Sequence, residues 1–158
     1  MVAKDIMNPK VVTVLHSEPA REVIRTLTDL QITGAPVVDE DGTLIGIVSM
    51  ADCVQETERG EAVRSRGLCF HRDLWWDLEE DHEKSVMVLD ESLKAADLMT
   101  PEPFTVSEIT PASEVVELMI EKRIHRVVVT TNGAIKGIIT TVDVMRALSS
   151  LLPEPVRS

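Results

Sequence analysis

The chain has 158 residues, 44% hydrophobic and 27% charged, enough to bury one substantial core or two small ones that share an interface. A formal net charge of -11 argues against nucleic acid as a partner, because gathering phosphates by counterion release needs a basic face. Aromatics make up only 3% and Tyr is absent, so the core has to be aliphatic; no apolar run reaches the roughly 18–20 residues that span a bilayer, and no membrane partner is expected.

The opening stretch MVAKDIMNPK lacks the apolar segment of a signal peptide. Cys53 and Cys69 have neither metal-ligand nor redox spacing, so they read as reduced thiols of a cytoplasmic protein. An extended segment at Val11–Val14 leads to a helix that Ser17 can cap and that holds Pro19 in its first turn. Its apolar residues Val23, Ile24, Leu27 and Leu30 recur at helical spacing, and Gly34 is expected just past its end at positive φ. The run Ala35–Val38, the turn DEDG (39–42) and the strand Leu44–Val48 follow as a hairpin, and a closing helix starts near Ser49.

After an insert at 57–94, read as partly helical, the same order returns. DLMTPEPFTV (97–106) matches DIMNPKVVTV (5–14), and GAIKGIITTVD (133–143) matches GTLIGIVSMAD (42–52), with one residue fewer in the turn. The second copy has Phe104–Val106, Thr110 and Pro111 at a helix start, Val115, Val116 and Met119 on its apolar side, Val127–Val129, the turn TNG (131–133), Ile135–Ile139 and a helix from Thr140. The expected organisation is repeat 1 at 1–56, the insert, repeat 2 at 95–152 and a tail at 153–158, each repeat running β-α-β-β-α. The helices of one copy cannot cover both faces of a three-stranded sheet, so the two copies should pack together. Phe70, Trp75 and Trp76 in the insert suit a core cover or a subunit contact. His71 and His82 show no compact ligand spacing, and no metal is expected.

Ser49-x-x-Asp52 and Thr140-x-x-Asp143 each admit two roles. A hydroxyl followed three residues later by a carboxylate forms a capping box. A carboxylate can also chelate two vicinal hydroxyls while neighbouring helix N–H groups face a phosphate. In the second copy Arg123 and Ile124-His125-Arg126 precede the second strand, where they either offset a helix dipole or hold phosphate oxygens. His125 as a ligand group would add pH sensitivity. The aligned Thr33-Gly34 of the first copy carry no charge. Cys53 beside Asp52 reads as a small buried hydrophobe rather than an activated thiol. No nucleophile–base pair, P-loop or GxGxxG is present, so no enzyme is expected.

The doubled D-[IL]-M-x-P opening, the GAPVVDEDG turn, and the segments GIVSMADC (46–53) and GIITTVDV (137–144) resemble the CBS-domain family over 1–56 and 95–150. The resemblance implies an α+β fold, two CBS repeats packed sheet to sheet about a pseudo-twofold axis as a stand-alone pair (a Bateman module). It implies clefts between the copies for AMP, ADP, ATP or S-adenosylmethionine, with no cofactor required. By that resemblance Asp143, with Thr140, Thr105, Val106, Ile124, His125 and Arg126, is expected to form the favoured site, for phosphorylated ligands. Asp52, with Ser49, Thr13, Val14, Gly34, Ala35 and Pro36, is expected to form a weaker one. In each, the aspartate takes the ribose hydroxyls and the strand starts frame the base. The implied role is a non-catalytic energy sensor acting as a homodimer or on a separate protein target. The competing expectation is a constitutive interaction module with vestigial nucleotide sites.

Overall fold

Val- and Ile-rich runs suit a pleated, half-buried surface, and here they pair into two small sheets. The computed structural model describes residues 1–53 and 92–152. Nearly all of the insert, with Cys69, Phe70, His71, Trp75, Trp76 and His82, lies outside the described residues, as does the tail. The first half contains α1 (Ala3–Ile6), β1 (Val14–Leu15), α2 (Ala20–Asp29), β2 (Gly34–Val38) and β3 (Leu44–Ser49), then a helical turn beginning at Met50. The second contains α3 (Ala95–Leu98), β4 (Thr100–Pro101), β5 (Thr105–Ser107), α4 (Ala112–Lys122), β6 (Arg126–Thr131), β7 (Ala134–Thr140) and α5 (Thr141–Leu151).

The fold is mixed α+β, and both halves share one plan. β1 runs parallel to β2 across α2, and β3 closes antiparallel; β5, α4, β6 and β7 repeat this. The hairpins are tight because their turn residues take positive φ, Gly42 at 80° in the first and Asn132 at 52° with Gly133 at 79° in the second. Asp39 Oδ1 fixes the longer turn by accepting from the N–H groups of Asp41 (3.0 Å) and Thr43 (2.8 Å). α2 buries Ala20, Val23 and Leu27, and α4 buries Val115 and Met119, the stripes that the periodicity predicts. Leu30, at the end of α2, is exposed. No helix among the described residues is long and apolar enough to cross a membrane.

Three local expectations are corrected. Ser17 and Thr110 do not cap α2 and α4. The cap positions are Pro19 and Pro111, while Ser17 bonds Glu40 and Thr110 Oγ1 accepts from Ser107 N–H within a turn. Gly34 is not a positive-φ helix end; it opens β2, and the left-handed residues are Gln31 at φ 52° and Arg123 at φ 53°. The one-turn helices α1 and α3 and the strand β4 were not expected from the sequence.

Those unexpected elements are exchanged between the halves. Ala3 lies in the core of the second half with Val115, Met119, Val127, Val129 and Ile139. Ala95 and Leu98 lie in the core of the first half with Val14, Val23, Leu27, Val37 and Val48. The backbone contacts are reciprocal: Ala3 N–H donates to Thr110 O and Lys4 N–H to Glu108 O, while Ala95 N–H donates to Glu18 O and Ala96 N–H to His16 O. Such pairing of equivalent residues is what a pseudo-twofold axis produces. The D-[IL]-M motif explains itself here. Asp5 and Asp97 each accept the N–H at the start of their short helix at 2.8 Å, and the Met7 and Met99 thioethers cover Gly137 and Gly46 of the opposite half.

Candidate functional site

Each sheet delivers its last strand into a helix start, and both junctions are built alike. Thr140 Oγ1 donates to Asp143 Oδ2 at 2.6 Å, Thr140 N–H reaches the same oxygen at 2.9 Å, and Asp143 N–H returns to Thr140 Oγ1 at 3.4 Å. Ser49 and Asp52 repeat this at 2.5, 2.8 and 3.4 Å. The capping box therefore consumes one carboxylate oxygen at each junction and leaves Oδ1. In Asp143 that oxygen takes Arg146 Nη1 at 3.1 Å. Asp52 Oδ1 has no such bond among the described residues, and the residue three further on is Gln55 rather than an arginine.

A cleft of about 250 Å³ opens beside Asp52. Ile47, Ser49 and Asp52 line it from the first half, and Thr100, Glu102, Pro103, Phe104 and Arg123 to Arg126 line it from the second. That volume is near the lower end for small-molecule sites, about 300 Å³. Apolar walls from Ile47, Pro103, Phe104 and Ile124 stand beside one carboxylate pair and three basic side chains, so the cleft suits a ligand with a flat apolar part and an anionic end.

Arg126 is the most constrained of the bases. Its Nη2 donates to Thr33 Oγ1 at 3.0 Å, reaching from the second half into the first. Its guanidinium lies where a Cβ on Gly34 would stand, and its Nη1 is buried without a hydrogen-bond partner among the described residues. Burial pulls the Arg126 pKa down, and the charge of Asp52 works against that fall. Behind the cleft Cys53 is only 2% exposed, and burial, with the Asp52 charge second, pushes its thiol up to about 12. It is an inert core residue.

The structure regroups the residues that the sequence assigns to two sites. Ile124, His125 and Arg126 share the cleft of Ser49 and Asp52, whereas the sequence grouping places them with Asp143. The start of a strand in one half faces the helix mouth of the other, so neighbours along the chain are not neighbours in the cleft. Thr140 and Asp143 stand at the head of α5, outside this cleft. Val14, Ala35 and Pro36 are buried in the first half, Thr13 and Thr105 are exposed, and Val106 packs on the second core. Gly34 touches the site only through Arg126. Sequence reasoning missed Ile47, Thr100, Glu102, Pro103 and Phe104 as lining residues; an aromatic in a chain with so few was the available signal for Phe104. Among the described residues no group of three His, Cys, Asp or Glu is placed to hold a metal.

Comparison with known proteins matches this architecture. The chain is 33% identical over 128 residues to the CBS domain-containing protein CBSX1, chloroplastic, of Arabidopsis thaliana, covering 80% of this chain and 54% of that one. It is 28% identical over 158 residues to CBSX2 of the same plant, covering 98% and 66%. The chain thus spans about half to two thirds of these plant relatives. Among solved structures, CBSX2 in complex with AMP superposes with a TM-score of 0.73 at 24% identity, over 96% of this chain and 99% of that one. The CBS domain pair of protein MJ0100, in complex with 5′-methylthioadenosine and S-adenosyl-L-methionine, gives 0.66 at 22%, over 96% and 98%. The CBS-domain family model matches residues 3–58 and again 95–150, so the chain belongs to the CBS-domain family as a pair of repeats.

Proposed function

We propose that the protein is a non-catalytic regulatory module that binds a phosphorylated adenosine ligand (AMP, ADP or ATP) in the Asp52 cleft and passes its state to a partner. One observation carries this reading: a carboxylate oxygen of Asp52 that is unengaged among the described residues shares a cleft with Arg123, His125 and Arg126. The carboxylate supplies the acceptor for a ribose diol, Phe104 and Pro103 offer a face for a purine, and the bases hold phosphate. Asp143 is less available, since its second oxygen is already paired with Arg146. The adenosine compounds held by CBSX2 and protein MJ0100 support the ligand class.

Calorimetry with AMP, ATP and S-adenosylmethionine tests the reading. AMP and ATP should bind one site, and S-adenosylmethionine, which has no phosphate, more weakly. Asp52→Ala should weaken AMP by about 10- to 100-fold, the scale of losing charged hydrogen bonds, and Asp143→Ala by less than about threefold. A larger loss from Asp143→Ala would return the site to the second junction. Binding of none of the three would leave the constitutive interaction module with vestigial sites.

A further inference from the structure

The manner in which Arg126 is held goes beyond what phosphate binding requires. Its guanidinium is not extended into open cleft: Nη2 is tied to Thr33 Oγ1 at 3.0 Å, and Nη1 points end-on at Gly34, where any side chain would collide with it. Nη1 is left buried with no acceptor among the described residues, an unfavourable state for a charged donor. Thr33 and Gly34 come from the first repeat and Arg126 from the second, so the contact also ties the two halves together.

We propose that Thr33 and Gly34 are specificity-determining positions that park the Arg126 guanidinium against the first repeat and thereby set how strongly the cleft prefers a phosphorylated adenosine ligand over an unphosphorylated one. The inference rests on the nucleotide reading of the Asp52 cleft and concerns its regulation. A phosphate that draws Arg126 toward it supplies the acceptor that Nη1 lacks, but it must break the bond to Thr33 to do so. Ligand occupancy and the inter-repeat bond then exclude each other, and the ligand shifts the equilibrium by the difference in its affinity for the two arrangements. Adenosine has no phosphate to draw the arginine and leaves the bond in place. Gly34 is needed because a Cβ would evict the guanidinium and also crowd Val48 O.

The test is calorimetry with AMP and adenosine on the full chain and on Thr33→Val, which removes the acceptor at an exposed position with little change of shape. Thr33→Val should tighten AMP by about three- to tenfold and leave adenosine unchanged. In an Arg126→Gln background AMP should lose part of its advantage over adenosine, the remainder coming from Arg123 and His125, and Thr33→Val should then have no effect, the non-additivity expected of residues that act as a pair. If AMP binds the wild type and Thr33→Val leaves it unchanged or weaker, the parking contact is overturned while the nucleotide reading stands. If neither AMP nor adenosine binds the wild type, the reading of the cleft falls and the inference with it.

Discussion

Asp52 and Asp143 occupy equivalent positions, and the duplicated Ser/Thr-x-x-Asp pattern identifies both as junction residues. What separates them is one residue three positions on: Arg146 engages the free oxygen of Asp143, and Gln55 stands at the matching place after Asp52. Cys53, next to Asp52, shows how a neighbour and burial act together. Its thiol ionises near 9.0 ordinarily and about 12 in the folded protein. The unfolded chain therefore loses this proton first as pH rises, so the contribution is complete below about pH 9 and disappears as pH climbs through about 12. Urea unfolding at steps from neutral pH to about pH 11 should show wild-type stability falling more steeply than Cys53→Ala, by at most about 1.4 kcal/mol per pH unit. Parallel slopes would mean that the thiol is open to solvent.

At the scale of elements, helices and hairpins were legible because their signals are local. The stripes of α2 and α4, the Asp39 turn and the Asn132-Gly133 turn are all set by residues within a few positions of each other. The one-turn helices were not, because four residues cannot show a helical period; α1 and α3 are held by Asp5, Asp97 and a foreign core. The exchange makes a specific demand on glycine. A Cβ at Gly137 would displace the Met7 thioether, which belongs to the other repeat. Gly137→Ala should cost about 1–3 kcal/mol through overpacking, and Met7→Ala in the same chain should recover part of that loss. Chemical denaturation of the single and double variants measures it. Strict additivity of the two changes would show that Met7 and Gly137 do not meet.

For the whole molecule, α5 buries none of its residues, and Val142, Met145 and Leu148 are all more than half exposed along its length. Their spacing puts them on one side of the helix, a self-complementary stripe of the kind that an isologous dimer uses. A homodimer through α5 is the partner reading that this face supports. Sedimentation equilibrium should give a dimer for the wild type and a monomer for the pair Met145→Asp and Leu148→Asp, with helix content unchanged. A monomeric wild type would overturn it.

The sequence by itself determined the duplication, the aliphatic core, the mixed α+β class and the two aspartate junctions, since each is a matter of residue type and short-range spacing. It could not determine which base faces which acid. Self-similarity aligns His125-Arg126 with Thr33-Gly34 but says nothing about which repeat completes the other's cleft. Only the tertiary structure decided that, by turning one repeat about the other so that the start of β6 meets Asp52 and each opening segment enters the opposite core. Distance along the chain is a property of one repeat, whereas the cleft is a property of the contact between two.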